Sequence, residues 1–213
     1  MITKHARARS VYIFYYYITL FNNGKHTQFS YLYRYFHGFH LLIECIYRMA
    51  VLPIQTGADN PILRKKSARV PKVTKQILKL IADMRDTVRD EDGAGLAAPQ
   101  VGESLSLCLA MIGGKLTVLV NPKIIRSGKE TLTEDEGCLS LPGLTFAVTR
   151  SRDITLIYED EQGKEQERRL QDFDARVVQH EVDHLDGRLI CDFVQPTAGR
   201  DPAASGSPRA ISI

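Results

Sequence analysis

The chain has 213 residues, 44% of them hydrophobic and 25% charged, a profile that suits one globular domain of ordinary size with some chain to spare. Its net charge of +3 is unevenly spread, because residues 1–48 hold six Lys or Arg against Glu44 alone, leaving residues 49–213 at −2. That balance excludes a basic nucleic-acid footprint on the body of the protein. Cys45, Cys108, Cys138 and Cys191 are widely spaced with no CxxC pair, which argues against a disulfide scaffold and for a reducing compartment. A cytoplasmic location is expected, with organellar targeting as the weaker alternative.

Residues 1–48 form a basic, aromatic-rich leader that holds 13 of the 17 Phe and Tyr. Its apolar run of about eleven residues falls short of the roughly 20 that span a bilayer, so no membrane span is expected. The leader is expected to be disordered or untranslated, with Met49 as the working start; a membrane-surface anchor is the weaker reading. From Met49 the texture is that of a folded domain, running to about residue 195. Ile77, Leu80, Ile81, Met84 and Val88 recur at helical spacing and predict an amphipathic helix over 72–89. A Gly-punctuated loop, "DEDGAGLAAPQVG", follows it. The runs "LSLCLAMI" and "KLTVLVNPKII" read as strands, with Cys108 a buried small hydrophobe, and "DITLIYEDEQGKEQERRL" reads as a hairpin. A second helix is expected over Phe173–Leu185, with Asp172 or Asp174 as its cap and Gly187 at its end. The Pro-, Gly-, Ser- and Ala-rich tail, 196–213, is expected to be disordered.

The second helix contains "QHEVDHLDG". His180 and His184, four apart, are neighbours on a helix surface and can converge on one cation. Glu181, one position round, is placed to take a proton from a water at that cation, as a general base must. No other histidine occurs after residue 48, so the body concentrates its imidazole at one place. The blander reading is a pair of core or surface histidines satisfied by ordinary hydrogen bonds. A catalytic metal site takes three protein ligands and leaves one position open. The metzincin pattern would need histidine at 190, which is Ile190, and no glutamate follows Glu181. The third ligand should therefore lie upstream, where "EDEGCLSLPG" presents Cys138, a soft thiolate ligand for zinc or ferrous iron. Cys191 is the rival, close to the helix end but flanked by Ile190 and Phe193.

In this order and separation "GAGLAAPQVG", "EGCLSLPG" and "QHEVDHLDG" resemble the three signature motifs of the peptide deformylases, with similarity from about Val51 to Val194. The resemblance implies an α+β fold with antiparallel β-strands packed around a central helix carrying the HExxH motif. It implies a hydrolase that removes the formyl group from the N-terminal formylmethionine of newly made proteins. Cys138, His180 and His184 would hold one divalent cation, expected to be ferrous iron in cells, with zinc, nickel or cobalt compatible. Glu181 would be the proton carrier, and the Gln100 side chain and Leu139 backbone N–H would stabilise charge on the formyl oxygen. Gly93 and Gly95 allow a close main-chain approach, so their loop is a candidate for pairing with an extended peptide. Val177 and Phe173 are candidates for the methionine pocket by helix face. The expected partners are formylmethionyl nascent peptides and the ribosome, with no specific nucleic acid. The sequence departs from the family pattern in having Thr149 before Arg150, where proline is common, and in the leader. Arg150 is expected to be a structural ion-pair residue, with Glu136 as its partner. Rival functions are a zincin-type peptidase, a non-catalytic module that kept the fold, and a leader acting as a membrane- or RNA-binding arm.

Overall fold

A computed structural model describes residues 51–193 and the backbone of residues 211–212. The leader 1–48 and most of the tail lie outside the described residues. Helix α1 spans Lys75–Asp90 and starts at Thr74, whose side chain accepts a hydrogen bond from the Ile77 N–H. Its apolar spacing buries Ile81, Met84 and Val88, with Ile77 and Leu80 packed beside them. Strand β1 is only Gly95–Ala97 and runs into a 3-10 turn over Ala98–Val101. Strands β2 (Leu107–Ile112) and β3 (Lys115–Ser127) follow. They are joined through Gly113 and Gly114, whose φ values of 58° and 72° fit the tight hairpin turn that favours glycine at both central positions.

Strands β4 (Thr131–Gly137) and β5 (Thr145–Ser151) flank the Cys138 segment. The expected hairpin is present as β6 (Asp153–Glu159) and β7 (Glu165–Gln171). Helix α2 covers Asp172–Leu185 and contains the whole HEVDH run. Its N-cap is Gln171 and not the expected Asp172 or Asp174. Those two carboxylates are engaged elsewhere: Asp172 accepts from Arg152 Nε at 2.6 Å, and Asp174 from the Gly113 N–H at 2.8 Å. Gly187 follows the helix at φ 75°, and a Cβ there would lie 2.6 Å from the Arg64 carbonyl oxygen, so glycine is required for the chain to pass. A second 3-10 turn covers Ile190–Asp192, and Ile211–Ser212 forms β8 within the tail.

The strands make two sheets, the larger in the antiparallel order β1-β2-β3-β6-β7 and the smaller in the order β5-β4-β8. The fold is therefore α+β, with an antiparallel larger sheet and a smaller one in which β4 pairs antiparallel with β5 and parallel with β8. Strand β2 explains its own near-continuous apolar run, since both its faces are covered. Cys108, Ala110 and Ile112 belong to one core with Ala175, Val177 and Val178 of α2. Leu107 and Leu109, pointing the other way, belong to a second core with Ile81, Met84 and Val88 of α1. Each fully buried aliphatic side chain of this kind contributes about 1.5–3 kcal/mol. A third cluster, with Leu63, Cys138, Leu141, Val148, Leu189 and Ile190, lies at the smaller sheet.

Candidate metal centre

The polar residues of α2 sit at positions where a helix in an apolar layer would carry hydrocarbon. Arg176, His180, Glu181, Asp183 and His184 are all buried. His180 and His184, one turn apart, place their ring centroids 5.0 Å apart at an interplanar angle of 65°. Cys138, just after the end of β4, brings its Sγ to 3.2 Å from His184 Nε2. One donor atom from each of Cys138, His180 and His184 lies within 4.8 Å of the others, and all three residues are buried. Cys191 is elsewhere: its Sγ receives Arg64 Nη2 at 3.6 Å.

His180 is oriented from behind. Its Nδ1 lies 3.0 Å from Glu136 Oε2, which leaves Nε2 free to face Cys138 and His184. Glu136 is fully buried and receives a two-pronged pair from Arg150, Nε to Oε1 at 3.0 Å and Nη2 to Oε2 at 2.9 Å. The expected Arg150–Glu136 ion pair is thus present. Arg150 also bonds Asp183 through Nη1, and Arg176 Nη1 adds a 2.6 Å bond to Glu136 Oε1. Burial opposes ionisation of Glu136, yet the hydrogen bonds from Arg150 and His180 bring its carboxyl down to about 2.

The centre itself has the opposite character. Burial pushes the Cys138 thiol up to about 12, against the pull of the Ser140 backbone N–H. Burial also lowers both imidazoles, His184 well below its ordinary range with the neighbouring His180 adding to the effect. Glu181 is raised well above the carboxylate range by burial, with Arg150 opposing. Four buried side-chain atoms here have no hydrogen-bond partner: His180 Nε2, both carboxylate oxygens of Glu181, and His184 Nδ1. Buried polar atoms left in this way ordinarily cost about 1–3 kcal/mol each. A cation with its coordinated solvent would engage the His180 nitrogen and Glu181, and a thiolate with two imidazoles is a donor set suited to a transition metal or zinc. The residues therefore fit a metal.

Of the two further expected residues, Gln100 reaches the centre and Leu139 adjoins it in sequence. Gln100 is fully buried, accepts from the Ala97 N–H at 2.7 Å, and directs its Nε2 to Ser140 Oγ at 3.3 Å and Cys138 Sγ at 3.8 Å. Leu139 follows Cys138 directly and packs on the α1 core. Gly95 lies against the catalytic candidate, since a Cβ built on it would be 2.2 Å from Glu181 Oε1; one on Gly93 would be 3.3 Å from Leu139 Cδ1. Val177 is fully buried in the core shared with β2, whereas Phe173 is 36% exposed near the start of α2. Sequence reasoning missed Asp183 and Arg176. Their signal was available: Arg176, His180 and Asp183 stand at i, i+4 and i+7, so they share one face of the predicted helix with a candidate metal ligand. A cleft of about 780 Å³ opens on another face of α2, along Gln179, Val182 and Asp183, and at its cap Asp186. It touches neither Cys138 nor either histidine, and three of its four cations, Lys66, Arg150 and Arg188, are paired with Asp183 or Asp186.

A buried Cys-His-His donor set beside an unpartnered carboxylate defines a metallohydrolase centre. The comparisons with known proteins agree with this class and narrow it. The polypeptide deformylase family model matches residues 51–199. A peptide deformylase of Pseudothermotoga lettingae is 45% identical over 135 residues, 63% of this chain and 78% of its own. One of Chlorobaculum parvum is 43% identical over 153 residues, 68% of this chain and 80% of its own. The crystal structure of peptide deformylase from Thermotoga maritima superposes with a TM-score of 0.66 at 38% identity, over 68% of this chain and 99% of that one. An actinonin-bound deformylase from Acinetobacter baumannii gives 0.65 at 34% identity, over the same two shares. The chain belongs to the polypeptide deformylase family, metal-dependent hydrolases that remove the formyl group from N-terminal formylmethionine.

Proposed function

We propose that this chain deformylates formylmethionyl nascent peptides, with Cys138, His180 and His184 holding one divalent cation and Glu181 moving the proton. The observation that carries the reading is the meeting of three buried donor atoms within 4.8 Å of one another beside a Glu181 carboxylate with no hydrogen-bond partner. The chemistry supplied by a bound divalent cation is Lewis acidity, which makes water nucleophilic near neutral pH. Glu181 takes a proton from the attacking water and passes it to the amine nitrogen as the C–N bond breaks, so formate and a free N-terminus leave.

Gln100 Nε2, held toward Cys138 by the Ala97 N–H and Ser140, and the Leu139 backbone N–H donate to the formyl oxygen as it gains charge. Removing one such donor typically costs about 10²–10³-fold in rate. Glu136 keeps the Nε2 of His180 aimed at the cation by engaging Nδ1. Helix α2 acts as the central element on which the catalytic side chains ride, packed against strands of both sheets. The loop with Gly93 and Gly95 reads the main chain of an extended peptide, and Val177 and Phe173 border the methionine side chain. Ferrous iron is the proposed ion in cells, with zinc, nickel or cobalt able to substitute. Residues 49–195 form the catalytic domain, working in the cytoplasm near the ribosome. The leader 1–48 is not part of the working enzyme. Among the described residues no helix is long and apolar enough to cross a membrane.

The test uses anaerobically purified, iron-loaded protein and a formyl-Met tripeptide, with formate release and metal content measured together. Cys138→Ala is expected to lose both metal and formate release. A variant that kept full metal content and full rate, or a parent protein that cut internal peptide bonds instead, would overturn the reading.

A further inference from the structure

The smaller sheet has an occupant next to the metal centre. Strand β8 runs parallel to β4, with Ile211 opposite Glu136 and Ser212 opposite Gly137, along the edge of β4 that β5 does not use. Gly137 immediately precedes Cys138, so this pairing ends one residue from a candidate metal ligand. A peptide whose formyl group must reach Cys138, His180 and His184 has two strand edges nearby. One belongs to β1, where Gly95 lies against Glu181; the other is this edge of β4. Exposed strand edges bind extended peptides through main-chain hydrogen bonds that disregard side-chain identity, and Gly137 adds no side chain to obstruct a visitor.

Resting on the function proposed above, we infer that the β4 edge at Glu136–Gly137 is a main-chain binding surface for which the chain's own residues 211–212 and the substrate peptide compete. A two-residue pairing is weak taken alone. Tethered to the same chain it acts at an effective concentration in the mM range, strong enough to occupy the edge and weak enough to be displaced. Substrate affinity is then reduced by the fraction of molecules in which the edge is free.

The experiment compares the full-length protein with an Ile211→Pro, Ser212→Pro double variant, since proline has no N–H to give a strand. The expected result is a KM for a formyl-Met tripeptide that falls about fivefold with kcat unchanged, as when a masked fraction is released. Backbone amide exchange at Glu136–Cys138 should become faster, and the synthetic hexapeptide PRAISI, residues 208–213, should restore the higher KM when added to the variant. An unchanged KM overturns the competition whatever the exchange shows. If neither protein releases formate, it is the proposed function that fails. Exchange then judges the occupancy alone, with faster exchange supporting it and unchanged exchange overturning it.

Discussion

The two helices of this protein are held by different physics. Helix α1 buries Ile81, Met84 and Val88 and satisfies its two buried polar residues: Thr87 Oγ1 donates to the Asp83 carbonyl at 2.9 Å and accepts from the Leu52 N–H at 2.9 Å, and the Asp83 carboxylate accepts from Lys79 Nζ at 2.5 Å. Helix α2 buries two histidines, two acids and an arginine. Part of that charge is matched, Arg176 by Glu134 and Glu136, Asp183 by Arg150 and Arg188. Glu181, His180 Nε2 and His184 Nδ1 are left unmatched. A fold that satisfies its local rules nearly everywhere and breaks them at one spot marks that spot as functional. The contrast also separates stability from activity: residues of α1 should affect only the first, and Glu181 only the second.

Glu181→Gln offers the largest test of that separation. Turnover on a formyl-Met tripeptide should fall by about 10²–10⁴-fold, while metal content holds and the melting temperature stays level or rises, because a buried carboxyl without partners has been replaced by an amide. A large drop in melting temperature would erase the distinction between the helices. Glu136→Ala should move both properties. It strips Arg150, Arg176 and His180 of their shared acceptor, costing about 3–5 kcal/mol in urea unfolding and weakening zinc binding about 10–100-fold in a competition titration.

The same carboxylate gives a pH signature. Its folded pKa, about 2, lies below the ordinary 4.5, so the unfolded chain takes up the proton first as pH falls. The stability it contributes is therefore full above about 4.5 and is lost on descending to about 2. Acid unfolding of the parent followed by circular dichroism should show this limb, and Glu136→Gln should lack it. On α1, Met84→Ala should cost about 2–5 kcal/mol of stability with kcat unchanged at a temperature where the variant is folded. Thr74→Ala, which removes the α1 cap, should be the mildest, about 0.5–1 kcal/mol by thermal melting.

What the sequence made legible follows the same division. The α1 periodicity, the apolar runs of β2 and β3, and the β6–β7 hairpin were readable because hydrocarbon on a regular period built them. The Cys138, His180 and His184 grouping was readable because few residue types can serve as soft ligands and the body has only two histidines. Strands β4 and β5 were not readable. "TLTEDEG" and "TFAVTRS" place Glu136 and Arg150 in the interior with Val148, so an ion pair stands where alternation of apolar residues would have signalled a strand. Strand β1 was hidden by brevity, three residues inside a glycine-marked loop, and the cap of α2 by two aspartates whose side chains turn to other partners.

Cys138 directly follows a strand of the smaller sheet, whereas both imidazoles ride on a helix that packs mainly on the larger one. A cation gripped by all three would therefore act as a rivet between the two layers. Loading would then be felt as heat resistance throughout the molecule, growing with free metal concentration, and oxidation of a single sulfur would loosen the architecture in the same event that ends turnover.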